Sequence, residues 1–220
     1  MKHLLDWKVG FCSRYGDEPE KFFNAAVPGA VQLDYAREYG LPDYNRDLNF
    51  KKYRPLEDLY WVYTTEYDAA CSQGNKLFLV VNGIDYSYEL YAHRVTHHVK
   101  HMRTDYEETV RDVIKRMSEI QKLDLTRFSG GRIKLKIIIM PVPKSTLPGV
   151  HKDTRDEANQ CCKPAVSYGW DFHPRLVPLG IWEDIFILET TCNSVPEPKC
   201  DYELSKDLKI AEIRLASAGQ

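Results

Sequence analysis

The chain has 220 residues, 43% of them hydrophobic, with 30 Lys plus Arg against 32 Asp plus Glu. Its 14 Tyr, 8 Phe and 4 Trp exclude intrinsic disorder, because a chain with that much aromatic surface collapses. A formal net charge of -2 gives no reason to expect nucleic acid or an anionic membrane as partner.

No apolar run is long enough to span a bilayer. The start, Met1-Lys2-His3-Leu4-Leu5-Asp6, lacks the apolar stretch and small-residue cleavage site of a signal peptide, and the compartment stays open between cytoplasm and periplasm. The six cysteines, Cys12, Cys71, Cys161, Cys162, Cys192 and Cys200, contain no Cys-x-x-Cys pair. Buried free thiols are expected, with a Cys192–Cys200 bridge as the alternative in an oxidising compartment.

In chain order, a short helix is predicted over Val31 to Glu38, after the Val27-Pro28-Gly29 turn. Trp61, Tyr63, Thr65 and Tyr67 alternate as a half-buried strand requires. Leu77 to Val81 is a β-branched and aromatic run closed by Asn82-Gly83, a turn pair, after which Tyr86, Tyr88, Leu90 and Ala92 share one face. Thr104 and Glu107 have capping-box spacing, and Val110, Val113, Ile114, Met117 and Ile120 recur at helical spacing. Ile133, Leu135, Ile137 and Ile139 alternate with lysines after the Gly130-Gly131 break. Ile185 to Leu188 reads as a strand buried on both faces. The Pro-rich stretch Val195 to Lys199 is a loop returning the chain for one last strand, Leu208 to Leu215. Wide spacing and Pro-containing connections favour an antiparallel sandwich over a doubly wound sheet. The fold expected is all-β, with one or two short peripheral helices.

Chemistry-bearing motifs are few. Glu107-Glu108, Glu183-Asp184 and Asp17-Glu18 are adjacent carboxylates, which point to opposite faces of a strand and cannot flank one bond. The sequence holds no nucleophile elbow, phosphate loop, dinucleotide fingerprint or zinc-protease motif, so no cofactor is implied. His93, His97, His98 and His101 form the only histidine cluster. Lys100 and Arg103 crowd it with positive charge, so a surface loop is expected there rather than a metal site. The most informative stretch is Ser167-Tyr168-Gly169-Trp170-Asp171-Phe172-His173-Pro174-Arg175, followed by Gly180-Ile181-Trp182-Glu183. An indole covers the C–H face of a pyranose while a carboxylate accepts from neighbouring hydroxyls. Equally, Trp170 could be core and Asp171 could pair with Arg175.

That stretch resembles the Trp-Asp-Trp-Gly-Pro-Arg segment, followed by Gly-Ile-Trp, in the N-terminal domain of glycoside hydrolase family 2, and its β-mannosidase-like members most of all. The resemblance runs along nearly the whole chain. Trp7-Lys8-Val9, Val27-Pro28-Gly29-Ala30-Val31, Gly40-Leu41-Pro42-Asp43, the strand Asp58 to Thr65, Val81-Asn82-Gly83-Ile84-Asp85-Tyr86 and Leu208 to Ile213 each match a family element, in order.

The resemblance implies a jelly-roll β-sandwich of the galactose-binding-domain type, with residues 1–220 as one non-catalytic module. In the family an immunoglobulin-like sandwich and a (β/α)8 barrel follow, and the barrel carries both catalytic glutamates of a retaining glycosidase. It implies packing on that barrel, a carbohydrate substrate, and Trp170, Asp171 and Phe172 as substrate-contacting residues. An autonomous lectin-like module and a purely structural domain are the rival readings. Phe172 stands where the family has a second Trp, His173 where it has Gly, and Glu183 where Arg is common. A β-carbon at position 173 restricts torsions that Gly permits, which predicts an altered loop path. The resemblance also makes residues 104–109 extended, so the helix is expected from Val110 to Lys122.

Overall fold

The structure, a computed structural model, describes residues 1–95, 109–114, 120–144, 157–158, 162–193 and 197–218. Two antiparallel sheets share one core. The larger has the order β3-β2-β4-β10-β7-β8, with β2 at Lys8–Cys12, β3 at Phe23–Asn24, β4 at Tyr60–Asp68, β7 at Tyr88–Arg94, β8 at Thr109–Ile114 and β10 at Arg132–Ile139. The smaller runs β1-β12-β5-β9, with β1 at Lys2–Leu4, β5 at Lys76–Val81, β9 at Gln121–Asp124 and β12 at Ile185–Thr190. This is the expected sandwich of jelly-roll type, and among the described residues no helix is long and apolar enough to cross a membrane.

Period-two patterning fixes the register. Leu135 lies opposite Thr65 on one side and Ala92 on the other, and Ile137 opposite Tyr63 and Leu90. These apolar partners point one way, and slipping by one residue would turn Lys134 and Lys136 into the core instead. From the facing sheet, Leu77, Leu79, Val81, Ile185 and Ile187 complete the interior. Each such side chain contributes about 1.5–3 kcal/mol on burial. Ile185 to Leu188 is not buried on both faces: Phe186 and Leu188 are half-covered, and the Lys2 ammonium lies 4.3 Å from the Phe186 ring centroid.

The helix expected after the Pro-Gly turn is present as α1, Val31–Tyr39, and ends on Gly40 in the left-handed region. Its Asp34 is buried, accepting from the Ala26 N–H and from Arg37, both at 3.0 Å. Burial pushes that carboxyl upward despite those donors. Of the helix expected from Val110 to Lys122, the described residues 110–114 and 120–122 are not helical. Residues Thr109–Ile114 instead pair with β7 from His93↔Thr109 to Tyr88↔Ile114, and Gln121–Asp124 pairs with β5. The segment is rich in β-branched residues that fit a ladder better than a helix, and pairing along six residues of β7 outweighs the 3.6-residue pattern. Thr104 and Glu107 lie outside the described residues.

Asn82-Gly83 is not a hairpin turn, since β5 and β7 belong to different sheets. Asn82 N–H donates to Asp184 O at 3.1 Å, and a Cβ on Gly83 would fall 2.7 Å from the Trp182 ring. The glycine is needed there for close approach of the indole.

The last strand starts at Ala211, not Leu208, which has φ +58 in the preceding turn. It also fails to close the sandwich. β14 (Ala211–Ala218) pairs only with β13 (Glu197–Leu204), and β13 begins inside the stretch expected to be loop. The register puts Cys200, Tyr202 and Leu204 on the same hairpin face as Leu215, Ile213 and Ala211, and their large apolar side chains are exposed. Cys192 and Cys200 are free and exposed, so they do not bridge. Cys12, Cys71 and Cys162 are also free, the first two only half-buried.

On β12, Glu189 accepts from Ser72 N–H at 2.8 Å and Asn75 Nδ2 at 2.7 Å, clasping the β4–β5 connection. Those donors hold its carboxyl at about 2. A carboxyl lowered in the folded state stabilises fully above its unfolded value, near 4.3, and loses that contribution as pH falls towards 2. Urea titrations at stepped pH should therefore show Glu189→Gln less stable than the parent chain above pH ~5, with the gap closing towards pH ~2.

Candidate functional site

The segment Lys163 to Trp182 carries the candidate residues and is tied down at both ends. On the entering side, Pro164 leads into a tight 3-10 turn, Ala165–Tyr168, whose Tyr168 is buried. Just before it, the Lys163 ammonium is enclosed and paired with Asp85, which lies on β6 (Ile84–Asp85). On the leaving side, α1 acts as a seam. Gln32 Nε2 donates to Val177 O at 2.8 Å, and Leu179 N–H donates to Gln32 Oε1 at 3.1 Å. Val31 N–H and Gly29 N–H then reach Leu179 O at 2.8 Å and Ile181 O at 2.7 Å, alongside β11 (Gly180–Ile181), which pairs with β6.

Between these anchors the chain makes a closed loop. Leu176 N–H donates to Ser167 O at 2.9 Å, Trp170 N–H to His173 O at 2.9 Å, and His173 N–H to Trp170 O at 3.3 Å. Gly169, at φ +113, takes the one left-handed step the loop needs. His173 is not in that region, so its β-carbon costs nothing in torsion, contrary to the expectation from the missing Gly.

The loop presents its tip outward. Trp170 is 63% exposed and Phe172 77%, and Asp171 is exposed with no hydrogen bond or ion pair among the described residues. Trp170 is therefore not core, and Asp171 does not pair with Arg175. Arg175 turns inward instead. Its Nε and Nη2 donate to Glu57 at 3.2 and 2.6 Å, and Nη2 also meets Glu157 Oε2 at 2.5 Å. The guanidinium lies 5.2 Å from the Tyr168 ring centroid. Burial by itself would lower the Arg175 pKa, and the Glu57 and Glu157 carboxylates more than offset it, so the cation is held firmly charged.

Beside the loop lies a largely apolar cavity of about 410 Å³, lined by Trp182, Asp85, Ser167, Leu179 and Gly180 among others. Trp182 is 47% exposed. Indole and carboxylate here can stack on and hydrogen-bond a sugar, but the loop offers no acid–base pair. Glu57 and Glu157 are both committed to Arg175. Asp184 is taken by Lys2 at 2.6 Å and Glu18 by Lys136 at 2.5 Å. Among the described residues no three His, Cys, Asp or Glu side chains are grouped to hold a metal. His93 is half-buried and stacked on Tyr91, its pKa lowered by burial and by Lys136 and Lys134. His97, His98, His101, Glu107 and Glu108 lie outside the described residues. The sequence reading missed Glu57, Glu157, Lys163 and Gln32. Gln32 lies in the predicted helix, and nothing in the local sequence of any of the four signals a buried polar partner.

The two-sheet antiparallel sandwich is that of the galactose-binding-like β-sandwiches. The family model described as glycosyl hydrolase 2 galactose-binding domain-like matches residues 11–183, and the chain belongs to that family. Mouse β-mannosidase is 27% identical over 168 residues, covering 74% of this chain but 19% of that protein. A β-D-mannosidase structure from Dictyoglomus thermophilum superposes with a TM-score of 0.69 at 18% identity, covering 98% of this chain and 25% of its own. An exo-chitosanase structure from Amycolatopsis orientalis gives 0.58 at 10% identity, covering 97% and 23%. Those likenesses speak for the fold. The chain spans about a fifth of the length of the curated relatives it matches.

The seam under the loop yields a stability test. Gly180 has φ +141, and a Cβ there would sit 2.9 Å from Gly29 O and 3.1 Å from the Tyr63 hydroxyl. Gly130, at φ +77, faces open space. Gly180→Ala should cost about 2–3 kcal/mol and Gly130→Ala about 1 kcal/mol in chemical denaturation, strain plus clash against strain alone.

Proposed function

We propose that this chain is the N-terminal, non-catalytic sugar-binding module of a longer family 2 glycosidase. It packs on the catalytic barrel and immunoglobulin-like domain of its parent, which hydrolyses O-glycosyl bonds by a retaining mechanism. Trp170, Asp171 and Phe172 reach over the barrel and contact the carbohydrate substrate. The observation that carries this reading is the contrast within one loop: a stem fastened by buried ions, and a tip that leaves two aromatics and an unpaired carboxylate to the outside. The likeness to mouse β-mannosidase makes a β-mannoside the first substrate to assay.

The apolar hairpin face supports the same reading. Two strands cannot bury Tyr202, Leu204, Ile213 and Leu215 against each other, since all four lie on one side. They call for a facing sheet, which the immunoglobulin-like sandwich of a longer parent supplies. Residues 1–220 then form one module whose hairpin meets the next.

Purified, the 220-residue chain should release no nitrophenol from a panel of nitrophenyl glycosides, since among the described residues no carboxylate pair flanks a cleft. In the full-length parent, Asp171→Ala should lower turnover of the nitrophenyl β-mannoside by on the order of 10²-fold or more. A charge-assisted bond in a desolvated site is worth ~1.5–3 kcal/mol, and more where it strengthens in the transition state. A merely structural loop would show lost stability with turnover intact, and a lectin-like module would bind mannose-containing oligosaccharides unaided.

A further inference from the structure

We propose that Arg175 is a positioning residue: clamped between Glu57 and Glu157, it holds the Trp170–Asp171–Phe172 tip in its outward pose. Three features of the geometry point to this. First, the cluster joins chain segments far apart in sequence. Glu57 lies in the 3-10 turn Arg54–Asp58 and is 118 residues from Arg175. Glu157 belongs to a third segment, reached also by Arg54 at 3.5 Å. Second, all three members are buried, so the arrangement is fixed by its own partners rather than by water. A guanidinium forked onto one carboxylate has a defined plane, which a lysine could not supply. Third, Arg175 follows the closing residues of the loop directly. His173 bonds back to Trp170, Pro174 stiffens the next step, and Leu176 closes the outer rung onto Ser167. The Arg175 Cα is thus the first fixed point after the tip, and its Cβ lies 3.7 Å from where a Cβ on Gly169 would be, so the two strands of the stem touch.

A cluster that only added stability would protect the whole sandwich alike. A positioning clamp protects the loop selectively. Among the described residues Nη1 of Arg175 is buried without a hydrogen-bond partner, so Glu57 and Glu157 do not use every donor of the guanidinium. The consequence for a sugar ligand rests on the functional reading above, whereas the clamp itself does not.

Hydrogen–deuterium exchange on the 220-residue chain tests it. Arg175→Met should speed exchange at the Trp170 and His173 amides at least tenfold, while amides of β4 and β10 stay within twofold of the unsubstituted chain. Should Arg175→Met fail to fold, Glu157→Gln and Arg175→Lys carry the same test, with at least threefold faster exchange confined to residues 169–176. Loop amides that exchange at the original rate, or an increase shared equally by β4 and β10, would overturn the clamp. In the longer parent, a local loosening combined with undiminished turnover of Asp171→Ala would retire the sugar-facing role and leave the clamp standing. The reverse pattern would retire the clamp alone.

Discussion

A guanidinium withdrawn from water has to be met where it stands, and Arg175 is met by Glu57 and Glu157. Taking such ions out of solvent costs about several kcal/mol each, and their attraction repays this only when geometry is good. Replacing a buried ion cluster with apolar residues of like volume is often neutral for stability. Stability alone therefore does not explain its presence at the root of a loop. What an ion cluster provides over an apolar patch is direction: two donors on one carboxylate leave a single plane for the guanidinium. The more exposed neighbours, Arg54 and Lys144, add little, because water screens them.

The clamp can do this only because the sandwich beneath it is settled independently. Trp61, Tyr63, Ile133, Leu135 and Ile137 form one core with the facing sheet, and the exposed tip of the loop takes no part in it. Core and loop stem meet through Tyr168, Val177 and Leu179, and at Gly180, which lets Gly29 and the Tyr63 hydroxyl come close. From there Gln32 carries the seam along Val177 and Leu179 to the root of the loop. Function-bearing side chains on a loop are only as well aimed as the rigid elements that hold its ends. Here one end is held by Lys163 on Asp85 and the other by Arg175 and Gln32.

Strand positions were legible wherever one face is buried, because alternation is a direct imprint of the pleat: Trp61 to Tyr67 and Ile133 to Ile139 needed no other signal. Residues 110–114 and 121–122 were misread because the apolar spacing of their segment satisfies a helix equally well. The deciding term is pairing with β7, a non-local contact no window of sequence contains. Asn82-Gly83 misled for a related reason. Glycine answers both to a turn and to an approaching ring, and only the fold brings Trp182 over it. In the site, the exposed tip was legible as aromatics beside an acid. Its foundation was not, since Glu57 and Glu157 look like ordinary surface acids until Arg175 arrives from a distant segment.

The isolated tip is chemically incomplete in a way that bears on its role. A carboxylate open to water gains little by exchanging one hydrogen-bonding partner for another, and an indole with one free face buries only part of a sugar ring. Both contributions grow when a second surface excludes water, because the effective dielectric falls and the lost solvent contacts cannot be recovered elsewhere. The hairpin presents the same asymmetry in apolar form, a charged face with Asp201, Glu203, Glu212 and Arg214 backed by an uncovered apolar one. Two surfaces of one chain thus gain most from being covered. On the function proposed above, a module built this way completes a site on its parent, and its rigidity, invested in the stem rather than the tip, makes that completion reproducible.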